Sequence, residues 1–269
     1  MDGRKPRLQL ATANGAPRPS GLRRFALLEL LLWASLYPAY LAIRGTTIGN
    51  PQQAIAHATQ LIDIERALHF CHEQALQRLP GALLDFFSAY YLLGFGPLIA
   101  ATLIWLGIRH RELYRELRTL LFVSLGIAVF FYVGYPTAPP RLVPSLGIAD
   151  TVGMAGHDTG SVAGIRFNPY AAMPSMHVGW SVLVAIIGFR AASSRRFLRW
   201  FFVLHPFVMA ATVTATGNHY FVDSIAGAGA ALAAVGILAG WRRLRPSRGG
   251  EIVQLPVATT RDERDRRAA

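Results

Sequence analysis

A chain of 269 residues that is 52% hydrophobic and 16% charged, with a mean hydropathy of +0.33, is more apolar than a soluble domain of its size, so a bilayer is the expected solvent. The basic excess, 27 Lys and Arg against 15 Asp and Glu, does not indicate nucleic acid, because the arginines sit between apolar runs and form no basic face interleaved with aromatics. Cys71 is the single cysteine, which excludes an intramolecular disulfide and a cysteine-built zinc site.

Residues 1–21 are polar and rich in Arg, Pro, Gly and Ala, and are expected to form a disordered cytoplasmic tail. Six apolar runs follow, near 25–43, 83–108, 119–137, 177–193, 197–216 and 221–241, each close to the roughly 20 residues that cross a hydrocarbon core. The first follows Arg23 and Arg24 as a signal peptide would, but lacks a small-residue cleavage site and reads as an uncleaved anchor. Glu29 in this run and His205 in the fifth are expected to hydrogen-bond within the bundle. Asn50-Pro51 offers an N-cap and a first-turn proline. Ala54, Ala58, Leu61, Ile62, Leu68, Ala75, Leu76 and Leu79 then recur at three- and four-residue steps until Pro80-Gly81. This stripe fits an amphipathic helix in the outer membrane interface, and fits packing on the bundle equally well. His57, His69 and His72 on it are expected to be solvated. Asp85, Tyr90 and Tyr91 open the second run, as interface anchors or as lining of a headgroup pocket. Residues 136–176 form a Pro- and Gly-rich stretch too long for a passive connection, which is expected to shape a site. The small residues at 226–230 permit close helix packing. Residues 22–245 should therefore make one all-α, six-helix membrane domain, and 246–269 a second disordered tail.

Orientation follows from the cations. The two tails and the second-to-third and fourth-to-fifth connections hold 22 Lys and Arg, and the opposite side holds 5, so both termini are expected in the cytoplasm. That topology, worked out without reference to chemistry, puts three polar clusters on the outer side. They are Pro139-Pro140-Arg141, Pro174-Ser175-Met176-His177 and His219-Tyr220-Phe221-Val222-Asp223. His219 and Asp223, four apart at a helix start, share a face, so the carboxylate can accept a hydrogen bond from one ring nitrogen and leave the other free to attack. Attack on phosphorus also needs a proton for the departing alkoxide and groups to hold the phosphoryl oxygens. His177 can supply the first, and Arg141 with Ser175 and nearby backbone amides the second.

These residues resemble the phosphatidic acid phosphatase type 2 superfamily over roughly residues 85–240, and within it the branch of inositol phosphorylceramide synthases. The strongest parts are Tyr135-Pro136-Thr137-Ala138-Pro139-Pro140-Arg141-Leu142, Pro174-Ser175-Met176-His177 and the stretch from His219 to Asp223. The resemblance implies a lipid phosphatase or phosphotransferase in which His219 forms a phosphohistidine, Asp223 orients it, His177 is the general acid, and Arg141 and Ser175 bind phosphate. It implies chemistry without metal or cofactor, a lipid phosphate as substrate, and water or an alcohol such as a polyol as acceptor. Three positions depart from the wider pattern. Gly134 stands where a lysine is expected seven residues before Arg141, Val213 where an arginine is expected six before His219, and Met176 where glycine is usual. These departures favour the synthase-like branch; Arg166 is a candidate replacement cation. Two other readings use the same residues. His177, His219 and Asp223 can be metal ligands with Asp150, His157 or Asp158. A lipid-handling or transport protein can bind an anionic headgroup there without turnover.

Overall fold

The structure, a computed structural model, describes residues 24, 27–34, 50–70, 72–154, 161–162, 165–166 and 168–244. The two predicted tails, most of the run at 25–43, and His157 and Asp158 lie outside them.

Caps and breaks in the sequence set the first elements. Helix α1 (Pro51–Ala67) starts as expected, with the Asn50 side chain accepting the Gln52 N–H at 2.9 Å. It stops earlier than the stripe suggests. His69 adopts φ 60, the Phe70 N–H bonds the Glu65 carbonyl and the His69 N–H bonds the Arg66 carbonyl, which together form a Schellman cap. Leu68 is therefore exposed, and a separate short helix, α2 (Glu73–Gln77), carries Ala75 and Leu76. The first part of the stripe, Ala54, Ala58, Leu61 and Ile62, is buried against Ala138, Val143 and Tyr220, so it packs on protein. His57 is not simply solvated, because its ring stacks on Tyr135 at 3.9 Å and its Nδ1 lies 2.7 Å from the Pro136 carbonyl. His69 and His72 are exposed, as expected.

The second apolar run is two helices, α3 (Gly81–Leu93) and α4 (Gly96–Arg109), bent by 44°. Pro97, in the first turn of α4, has no N–H to give the Leu93 carbonyl, and the chain bends at this point, although the later helix Arg196–Ala215 accommodates Pro206 without a break. Helix α5 (Arg111–Gly134) follows, then two 3-10 turns (Pro140–Leu142 and Pro144–Leu146), the short α6 (Thr151–Met154), and the two-residue strands β1 (Ser161–Val162) and β2 (Ile165–Arg166), paired antiparallel. Helices α7 (Met176–Ala191), α8 (Arg196–Ala215) and α9 (Phe221–Leu244) complete the chain.

Among the described residues, three helices, α5, α8 and α9, are each long and apolar enough to cross a membrane, and the bent pair α3–α4 makes a fourth candidate span. Helix α7, at 16 residues, is apolar but about 24 Å long. Large apolar side chains such as Phe130, Ile108, Phe207 and Leu232 point outward, an arrangement that a lipid solvent tolerates and water does not. Helix α7 sits in the middle, with Leu183, Val184 and Ile187 fully buried among α4, α5, α8 and α9. Glu29 is held internally by Tyr114 and Arg118, whereas His205 meets the Tyr90 hydroxyl through Nδ1 alone and buries its Nε2 without a hydrogen-bond partner.

The small-residue stretch resolves to one position. A Cβ on Gly227 would lie 2.0 Å from the Ser175 carbonyl oxygen, and one on Gly179 2.7 Å from the Gly227 carbonyl, so α7 and α9 cross backbone to backbone just below the motifs. Gly227→Val is expected to force the helices apart, lowering stability by about 1–3 kcal/mol and activity by more than that loss explains. Thermal melts and assays on the folded fraction check both.

Candidate active site

Each predicted motif lies where a helix starts or stops, and all converge on one end of the bundle. Helix α8 ends in a second Schellman cap. Gly217 takes φ 71, the Asn218 N–H bonds the Val213 carbonyl at 3.0 Å, and the Gly217 N–H bonds that of Thr214 at 3.1 Å. A side chain at Gly217 would also strike Ile148 Cγ2 at 2.7 Å and the Ala149 carbonyl at 2.9 Å. This turn aims His219 back over the bundle. The Arg141 N–H bonds the Gly217 carbonyl, and the Ser175 N–H bonds the Asp223 carbonyl, so all three motifs are stitched together by backbone. The opposite ends of α5, α7 and α9 meet in a separate ion cluster, Glu116 with Arg190 and Arg242.

His219 is 5% exposed and Asp223 fully buried. Nε2 of His219 lies 3.2 Å from Nδ1 of His177, and its Nδ1 lies 3.4 Å from Oδ2 of Asp223. The second contact falls outside hydrogen-bond geometry. The same carboxylate oxygen accepts the Tyr220 N–H at 3.0 Å, as a third-position acid reaching back to a helix N-cap does. Capping alone accounts for an aspartate at 223, but not for an imidazole beside the same oxygen. With a proton on His219 Nδ1 facing Asp223, Nε2 is an acceptor and His177 Nδ1 must be the donor, a tautomer set assigned from the contacts. His177 is half-exposed, its ring lying against Phe95 at 4.3 Å and Tyr91 at 4.7 Å. Tyr91 thus borders the site, whereas Tyr90 turns to His205 and Asp85 is exposed.

Arg141 donates to the Asn218 side-chain oxygen, and its Nε lies 3.3 Å from Asp150 Oδ2. Asp150 also caps α6 through the Gly153 N–H at 2.9 Å. The guanidinium is thereby anchored to the residue before His219 and half neutralised. Ser175 is fully enclosed at the start of α7, its amide committed to Asp223 and its hydroxyl without a hydrogen-bond partner. Val213, where a further cation was expected, is fully buried with Val178 and Met209. Gly134 closes α5 with open space beside it. Among the described residues, no group of three or more His, Cys, Asp and Glu side chains is arranged to hold a metal ion, and Asp150 is paired with Arg141 rather than turned to the histidines.

Sequence reasoning missed Asn218, an ordinary turn residue in the one-dimensional pattern, and Glu65. The second left a signal, because position 65 continues the apolar stripe of 54, 58, 61 and 62 and carries a carboxylate that is 1% exposed.

A bundle of apolar helices thus carries a carboxylate, two imidazoles and a guanidinium at one end. The PAP2 superfamily matches residues 59–237, a stretch that includes every one of these side chains, and the chain belongs to that superfamily. It is accordingly a phosphatase-type membrane enzyme. No curated protein matches the chain. Among solved structures it is similar to LpxE of Aquifex aeolicus, at 15% identity and a TM-score of 0.47, over 62% of this chain and 92% of that one.

Proposed function

We propose that the protein transfers the phosphoryl group of a lipid phosphodiester through a covalent intermediate on His219, and that water or an alcohol is the acceptor. The observation that carries this reading is the continuous line Asp223–His219–His177, with contacts of 3.4 and 3.2 Å. In the first step Nε2 of His219 forms a bond to phosphorus, the phosphorus–oxygen bond to the lipid alcohol breaks, and His177 gives that alkoxide its proton. In the second, His177 takes the proton of the acceptor hydroxyl, whose oxygen bonds to phosphorus as the nitrogen leaves. A phosphorus atom and its leaving oxygen do not fit between nitrogens 3.2 Å apart. Substrate entry therefore displaces one ring, and half-exposed His177 is freer to move than buried His219.

Charge favours a diester. At the motif positions Arg141 supplies one guanidinium, already paired with Asp150, while Val213 and Gly134 supply none. That arrangement matches a single negative charge better than the nearly two of a phosphomonoester. Arg141→Ala is expected to lower kcat/KM by about 100- to 1,000-fold, and Arg141→Lys to recover little, because the planar fork is lost. Steady-state assays of the two variants check this.

The arginine distribution supports six spans, cytoplasmic tails at 1–21 and 246–269, and an extracytoplasmic site that lipid enters sideways. The test of the reaction is a panel of phosphomonoester and phosphodiester lipids given to purified protein, with and without polyols, and products identified by mass. A new phosphodiester identifies a transferase and a water-derived headgroup phosphate a hydrolase. Turnover of phosphomonoesters alone would refute the diester assignment, and full activity in excess chelator is expected.

A further inference from the structure

Behind the histidines, α1 sends a carboxyl group into the start of α9. Glu65 Oε1 accepts the Val222 N–H at 2.6 Å from 157 residues away in sequence, and Val222 immediately precedes Asp223. The first turn of α9 is thus held by two carboxyl groups, Asp223 on the Tyr220 N–H and Glu65 on the Val222 N–H. Glu73, on α2, lies beside Glu65 and is 7% exposed, with one carboxylate oxygen unpartnered; the Tyr220 hydroxyl is likewise enclosed and unpartnered. With Ile62, Arg66, Gln74 and Leu146 these groups line a cavity of about 100 Å³. A buried carboxyl is an expensive way to cap a helix, since an ordinary cap contributes about 1 kcal/mol. Its place next to Asp223 suggests a second use.

We propose that Glu65 is a positioning residue for the reaction: its carboxyl group clamps the first turn of α9 and so sets where Asp223 holds the His219 ring. This rests on the reading of His219 as the nucleophile. Burial first, then the hydrogen bond to Glu73 and the charges of Glu73 and Asp223, push the Glu65 carboxyl up to about 9, against the pull of the Val222 amide. At neutral pH Glu65 therefore keeps its proton, and the acid can bond Glu73 and Val222 together. The groups that face it are Glu73 from α2, Tyr220 and Asp223 at α9, and Arg66 on its own helix, whose charge is turned out to Asp63. Ionisation in alkali places a negative charge on Glu65 against Glu73 and Asp223 and loosens the clamp. Because the folded pKa lies above the unfolded value of 4.5, the group also makes stability fall between about pH 4.5 and 9.

The test measures kcat, KM and melting temperature against pH for wild type, Glu65→Ala, Glu65→Gln and His219→Ala. Glu65→Ala is expected to lose kcat by about tenfold to 100-fold in folded protein, with KM within about twofold, as a misplaced catalytic pair would. Glu65→Gln keeps an oxygen for Val222 and a donor for Glu73. It is expected to rescue kcat at pH 7, to remove the loss above about pH 9, and to flatten the decline in melting temperature. If the alanine variant does not fold, the alkaline limb of Glu65→Gln decides. A wild-type pH profile in Glu65→Gln, or wild-type kcat in folded Glu65→Ala, overturns the inference. With His219→Ala inactive, that failure leaves the nucleophile reading standing; a fully active His219→Ala protein overturns both.

Discussion

His219→Ala is expected to abolish turnover, by on the order of 10⁴-fold or more, in a protein that still folds. The backbone that carries His219 is fixed independently of its side chain. The left-handed Gly217, the bonds from Asn218 and His219 amides to the Val213 carbonyl, and the Asp223 cap on Tyr220 all survive truncation of the imidazole. The side chain removed is buried and touches the catalytic partners on both sides, so the cost in stability should be about 1–3 kcal/mol while the cost in rate is the whole covalent route. Circular dichroism and a melting curve establish the fold, and product formation establishes the loss. His177→Ala should be less severe, because solvent can replace a proton donor but not a nucleophile.

Asp223→Asn is expected to lower kcat by about 10³- to 10⁴-fold with little change in KM. Asparagine can keep an oxygen on the Tyr220 N–H and so preserve the cap of α9. Its amide group then turns toward His219 Nδ1, which must become an acceptor. The ring proton moves to Nε2, and the lone pair that should attack phosphorus is gone. A normal melting temperature with a collapsed kcat is the expected signature. If capping were the only role of Asp223, the asparagine variant would keep its rate.

The sequence was readable wherever a local rule dominates. Asn50-Pro51 started a helix, the residue spacing of His219 and Asp223 put both groups on one turn, and the three polar clusters met at one end because helix direction alone decides that. What it hid depends on the third dimension. Pro97 marks a bend in one apolar run whereas Pro206 leaves another unbroken, a difference the sequence does not show, and His69 takes a left-handed cap that is usually glycine, so the apolar stripe breaks where periodicity continues. Asn218 and Asp150 matter through a guanidinium 77 residues away from the first, a pairing that no local pattern encodes. Glu65 was written as a carboxylate on an apolar face, but its partner Val222 lies across the whole chain.

The claim on which the rest depends is that Nε2 of His219 becomes bonded to phosphorus. Mixing wild-type protein with a turned-over lipid, quenching in alkali within the first turnover, and sequencing the peptides by mass tests it directly. The expected result is the headgroup phosphoryl mass on His219, absent from His219→Ala and discharged by acceptor. Substrate consumed at the wild-type rate while every His219 peptide stays unmodified, or the adduct found on His177 instead, would contradict it.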